Sequence, residues 1–277
     1  TTNLTGDTAS FSIGGAITDI ETDVAAISGS TTVAGDVSLT ETDAVTVSSF
    51  TTFDGSFSLI SGGTQTITAL TVGDNGADAE HDLTLNATAG NLVLSAMTSD
   101  DDISLTTAAG DVTDGNGATN NLTGDTLNFS IGGAITDIET TVATISGSTT
   151  DAGDVSFTET DAVIVSSFTT YDGDFSLTSG GTQTITAITV GDDGADAEHD
   201  VTLNATVGDL IISAITADDD INLTTASGSV TDGNAAINNL TGDTLNFSID
   251  GAITDIETTV ATISGSTTDA GDVSFTE

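Results

Sequence analysis

Short runs in which apolar and polar residues alternate recur along the whole chain. Val201, Leu203 and Ala205 share one parity and Thr202 and Asn204 the other, as in a strand with one buried and one wet face. Leu245, Phe247 and Ile249 alternate in the same way with Asn246 and Ser248. Comparable runs begin at Val155, Val163, Phe175, Thr184, Val201, Leu210, Ile221, Ser229, Leu245 and Ala252. Gly-Asp, Asp-Gly and Gly-Gly pairs separate them, which suits turns that need positive φ. No 3.6-residue periodicity of useful length competes, so the pattern predicts an all-β chain.

The runs belong to a longer repeat. NLTGDT occurs at Asn3, Asn121 and Asn239, so the period is 118 residues in both intervals. Segments 121–159 and 239–277 differ only at Gly132 against Asp250. Within a period, Val155 to Phe175 and Val201 to Ile221 each span 20 residues. That is a coil length typical of solenoids, in which one supersecondary unit stacks on the next. The spacing predicts a parallel β-helix, or β-solenoid, running continuously over 1–277. Its sequence repeats are 3–120, 121–238 and the partial 239–277. Six coils per period would advance about 29 Å at about 4.8 Å per coil. Because the chain starts and stops inside a period, the array is expected to continue beyond both ends. The rival architecture is a string of tandem Ig-like β-sandwiches, which the long period would also suit.

Composition narrows the function. The 277 residues hold 43 Asp and Glu and no Lys, Arg, Pro, Cys or Trp. Nucleic acid is excluded as a partner, because phosphate neutralisation needs cations on the protein. An anionic membrane surface repels the chain for the same reason, and no apolar run approaches the length of a membrane span. At 36% hydrophobic residues, with positive mean hydropathy, the chain nevertheless has enough apolar side chains to bury a core. Missing Lys and Arg also deprive trypsin of any cleavage site.

GDVSLTETDAVTV from Gly35, DLTLNATAGNLVLSA from Asp82 and DDISLTTAAGDVTDGNG from Asp101 resemble repeats of the filamentous-haemagglutinin type. Those repeats belong to large secreted exoproteins and adhesins of Gram-negative bacteria. The resemblance covers essentially the whole chain, through a degenerate x-V-x-L-x-A pattern with Gly and Asp turns. It implies a right-handed parallel β-helix, an extracellular or cell-surface location, and a part in adhesion or surface fibres. On this reading the chain is a structural segment of a long repetitive fibre or adhesin, not an enzyme. It self-associates into fibres, and any host or cell-surface receptor is met by regions outside it. The alternatives are a calcium-stiffened Ig-like adhesin stalk and a polysaccharide-active β-helix enzyme.

The main candidate site is an acidic loop present once per full period. It comprises Asp74, Asn75, Asp78, Glu80 and Asp82 in the first copy, and Asp192, Asp193, Asp196, Glu198 and Asp200 in the second. Clustered carboxylate and amide oxygens around a Gly bend are the donor set that calcium takes, six to eight oxygens at a time. The spacing is not that of an EF-hand, and a solvated acidic turn is the plain alternative. Asp100-Asp101-Asp102 and Asp218-Asp219-Asp220 precede strands at the same phase, where stacking would bring them near other turns such as Asp111 or Asp232. His81 and His199 are flanked by acids, which favours the protonated imidazole. Catalytic residues are not expected: there is no Cys nucleophile, no cation for an oxyanion and no G-x-S-x-G elbow. Triplets such as Asn3-Leu4-Thr5 match the glycosylation sequon, as chance allows in so Asn- and Thr-rich a chain.

Overall fold

The structure, a computed structural model, describes residues 2–73, 81–191, 198–235, 237–269 and 271–277. These residues form 25 strands and no helix. They fall into two compact units, Thr1–Val142 and Ala143–Glu277. Each unit is a parallel β-solenoid. In the first, Val37–Glu41, Phe57–Ser61, Leu83–Ala87 and Ile103–Thr107 pair in succession, all parallel. In the second, Val155–Glu159, Phe175–Ser179, Val201–Ala205 and Ile221–Thr225 do the same. This overturns the Ig-like alternative, whose sheets are antiparallel. Parallel neighbours need a crossover between them, and here the rest of each coil supplies it.

The alternation seen in the sequence builds the core. Along Val37–Glu41 and its partners, three inward columns rise through the first unit. They are Val37–Phe57–Leu83–Ile103, Leu39–Leu59–Leu85–Leu105 and Glu41–Ser61–Ala87–Thr107, and all of these residues are buried. The second unit repeats them as Val155–Phe175–Val201–Ile221, Phe157–Leu177–Leu203–Leu223 and Glu159–Ser179–Ala205–Thr225. The third column is polar because it meets the corner. There Ser61 Oγ donates to Gly63 O at 2.6 Å and Thr225 Oγ1 to Gly228 O at 2.7 Å, satisfying turn carbonyls the ladder cannot reach. Gly62 and Gly180 are required by close approach. A Cβ on either would lie 1.9 Å from the carbonyl oxygen of Thr42 or Thr160 in the coil beneath.

Coils are less uniform than the sequence spacing suggests. The register step is 18 residues from Leu4 to Thr22, 20 from Val37 to Phe57 and 27 from Gln65 to Leu92. Five steps carry Ile17 to Leu127, a span of 110 residues. A 118-residue period therefore makes about 5.4 coils rather than six, advancing about 26 Å rather than 29 Å. Being non-integral, the period does not return to its own column. Ile135, the counterpart of Ile17, instead caps the column Val45–Gln65–Leu92–Val112. In the second unit Val273, the counterpart of Val155, caps the column Val163–Gln183–Leu210–Val230–Ile253. The shift is tolerated because nearly every inward position is Val, Ile, Leu or Phe, so columns are interchangeable.

NLTGDT, the phrase that marks the period, has a structural role in its first residue. Asn121 is fully buried. Its Nδ2 donates to Leu94 O at 2.9 Å and Asp114 Oδ1 at 2.8 Å, and its Oδ1 accepts from Glu139 N at 2.8 Å. Asn239 repeats the bonds with Ile212 O, Asp232 Oδ1 and Glu257 N. One side chain thus ties three coils together, and its burial leaves no room for a glycan on either Asn in the folded chain.

Candidate functional site: an acidic corner

Asp immediately before a strand is the commonest corner residue, and the structure shows why. In the second unit Asp154 Oδ1 accepts from Asp174 N at 3.1 Å, Asp174 Oδ1 from Asp200 N at 2.9 Å, and Asp200 Oδ1 from Asp220 N at 3.0 Å. Each carboxylate takes the backbone N–H of its counterpart one coil on. A second corner does likewise through Thr182, Asp209 and Ser229, whose side-chain oxygens accept from Asp209 N, Ser229 N and Ala252 N. In the first unit Asp36, Ser56, Thr64, Asn91 and Asp111 play the same part. The side chain supplies the acceptor at the one place where the chain turns away from the ladder. The sequence signal was the Asp, Asn or Ser preceding nearly every apolar run, where only turn propensity had been read.

Stacking these corners gathers acids. Carboxylate oxygens of Asp82, Asp101 and Asp102 lie within 4.8 Å of one another, as do those of Asp200, Asp219 and Asp220. The two triads occupy equivalent places in successive copies. They join the last residue of each acidic loop to the triple-Asp run that follows, not to Asp111 or Asp232. Partial burial, with the charges of Asp220, Glu198, Asp200 and Asp243, raises the Asp219 carboxyl above its ordinary value. A hard cation fits the donor set, since two oxygens each about 2.4 Å from calcium stand at most about 4.8 Å apart. Of the loop residues expected to bind it, Asp82, Glu198 and Asp200 are placed. Asp74, Asn75, Asp78, Glu80, Asp192, Asp193 and Asp196 lie outside the described residues.

Each histidine pairs with an acid one coil away rather than with its sequence neighbours. His81 Nε2 stands 2.5 Å from Asp54 Oδ1, and His199 Nε2 2.5 Å from Asp172 Oδ1. His199 Nδ1 also lies 3.6 Å from Asp174 Oδ1. Burial disfavours the His199 imidazolium, but the hydrogen bond to Asp172 and the charges of Asp172 and Asp174 outweigh it and raise the pKa above 6.5.

Sequence reading missed two further groups. Glu41, 1% exposed, accepts from Thr22 Oγ1 at 2.6 Å, Val24 N at 3.1 Å and Thr42 N at 2.9 Å. These bonds offset the cost of burying a carboxylate without a cation. The other group is Asp114 and Asp232, beside the buried Asn. Asp232 accepts from Asn234 N, Asn239 Nδ2 and Ala235 N. The bonds from Asn234 and then Asn239 hold its carboxyl below the usual carboxylate value. No signal beyond recurrence at 118 residues could have singled these out.

The outer wall carries an open groove of about 300 Å³ lined by Asn222, Thr224, Asn246, Ser248 and Ser264. Its walls are two rows of outward side chains, with no titratable group among them. Comparison with family models, with curated proteins and with solved structures gave no match for this chain.

Two expectations follow for metal-free buffer of low ionic strength. Asp200→Asn keeps an acceptor for Asp220 N and relieves repulsion within the triad, so it raises Tm, the gain shrinking as NaCl screens the charges. Asp200→Ala leaves that N–H without its acceptor and costs about 1 kcal/mol, read by denaturant unfolding. For His199 the folded pKa lies above the unfolded one, so its pair adds stability below about pH 6.5 and loses it as pH rises through the folded value. His199→Gln therefore lowers Tm most near about pH 6 and least above about pH 8, a difference that a pH series of melting curves reads directly.

Proposed function

We propose that the chain is a structural segment of a long repetitive extracellular fibre or adhesin, a secreted acidic filament of the kind the filamentous-haemagglutinin resemblance implies for Gram-negative bacteria. The observation that supports this best is repetition of chemistry together with sequence. The acid triad recurs at Asp82, Asp101 and Asp102 and at Asp200, Asp219 and Asp220, and the His–Asp pair recurs at His81 and at His199. A catalytic centre gains little from being written once per copy, whereas a stacked ladder gains one more increment of length from each. The polysaccharide-active reading would need an acidic cleft unique to one copy.

In this proposal the work is mechanical. Backbone bonds from coil to coil resist extension, apolar columns exclude water, and outward Asp and Thr keep the surface hydrated. Receptor contacts belong to regions outside this chain. Calcium is part of the reading, held at the triads by carboxylate oxygens and neutralising charge where coils meet.

Two measurements test these points. At matched ionic strength CaCl₂ should raise Tm above the level NaCl reaches, and Asp200→Asn should lose that increment; equal responses to the two salts count against calcium. Chains carrying one, two and four copies of the 118-residue unit, imaged by electron microscopy, should lengthen by about 26 Å per copy at constant width. Particles that instead thicken as copies are added would rule out the filament.

A further inference from the structure

The last coil of the second unit leaves half-built an arrangement that the chain completes elsewhere. Strand Ile253–Thr267 ends in Ile263-Ser264-Gly265-Ser266-Thr267, and Ile263 is 41% exposed. The same residues within the chain are covered: Ile27 and Ile145 are fully buried. Their cover is a strand of the pattern Val-x-Val-x-x-Phe. In the first unit Ile27 pairs with Val47 and Gly29 with Phe50. In the second, Ile145 pairs with Val165 and Gly147 with Phe168. Both pairings carry the same bulge, after Ile27 and after Ile145.

The glycine is what admits the phenyl ring. Phe11 and Phe50, two coils apart, close to 6.3 Å between ring centroids across Gly29. A Cβ on Gly29 would lie 2.8 Å from Phe11 Cβ. At Gly265 it would lie 2.6 Å from Phe247 Cγ, so the same seat is present there, with Phe247 as its floor. Beside it, the covering coil brings in a second ring. Phe157, Phe168 and Phe175 form a trio with centroids 5.2–6.2 Å apart. In the last coil Phe275, the counterpart of Phe157, has only Phe247 against it at 5.7 Å among the described rings. Val273 is 48% exposed where Val155 is buried.

We propose that this edge, from Thr262 to Thr267 and from Val273 to Thr276, is a docking surface for a parallel β-coil carrying Val-x-Val-x-x-Phe followed by Phe-x-Leu, presented by a partner. The Phe of the first motif seats over Gly265 against Phe247, and the second motif lies on Val273 and Phe275. Register is set by the internal examples. Ile263 takes the position of Ile145 opposite Val165, Gly265 that of Gly147 opposite Phe168, and Val273 that of Val155 opposite Phe175. The partner strand offers backbone groups to an unpaired parallel edge and apolar side chains to exposed Ile263 and Val273, as β-augmentation requires. A cationic partner is not needed, since no carboxylate lines the seat. The assignment stands on the geometry of the edge and holds whether or not the chain serves in a filament.

The probe is a fluorescent peptide with the sequence of residues 160–179, titrated into the 277-residue chain. Saturable binding is expected, with new hydrogen-exchange protection confined to 262–267 and 273–276. Phe168→Ala in the peptide should weaken it about tenfold or more, without touching the fold of the chain. Binding that ignores this substitution, protection elsewhere, or no binding at millimolar peptide overturns the proposal. So does self-association of the chain that protects the same residues without peptide, which would give the edge to a second copy.

Discussion

Every strand of this protein lies between the strand one coil before it and the strand one coil after, and the hydrogen bonds between them run along the stack rather than within a coil. Val37–Glu41 has no partner in its own coil; its N–H and C=O groups are satisfied by neighbours about twenty residues away in either direction. A single coil would leave all these groups to water and could bury no apolar face, so stability comes only from stacking. This requirement accounts for much of the composition. Pro would remove a donor from a ladder paired on both edges, and the chain has none. Gly stands where backbone presses on backbone, as at Gly62 and Gly180.

Corners are where the ladder fails, and there the acids earn their place. An Asp ahead of a strand accepts the N–H of its counterpart in the next coil, so a residue that looks like mere surface charge completes the hydrogen bonding of the stack. The consequence is electrostatic strain, because acceptors that must stack must also repel. No Lys or Arg is present to relieve it. The His199–Asp172 pair, protonation of the crowded Asp219, and mobile counterions are the means of relief that remain. The same geometry that makes the triads repulsive makes them suited to a divalent cation.

Alternation of Val201, Leu203 and Ala205 with Thr202 and Asn204 was enough to find the strands, and the 20-residue spacing was enough to find the coil. The non-integral period was not legible. It depends on longer steps such as Gln65 to Leu92, whose extra residues bulge outward without disturbing the apolar pattern. Buried polar groups were equally hidden. Gln65 and Gln183 sit fully buried in apolar columns, each held by a donated bond from Nε2 to a neighbouring coil's carbonyl. Glu41 reads as one more acid until its partners Thr22 and Val24 are seen. Of the candidate site, the acids were legible but their grouping was not. Asp200 meets Asp219 and Asp220 through a coil step, and His199 meets Asp172 the same way, at distances in sequence that no local motif encodes.

Everything above rests on strands lying across the stacking direction, paired in parallel from coil to coil. X-ray fibre diffraction from an aligned preparation tests this most directly. The account predicts a meridional reflection near about 4.8 Å, the spacing of hydrogen-bonded strands. A pattern in which that spacing falls on the equator, or is missing from the meridian while the sample is well aligned, would contradict the stacked-coil architecture itself.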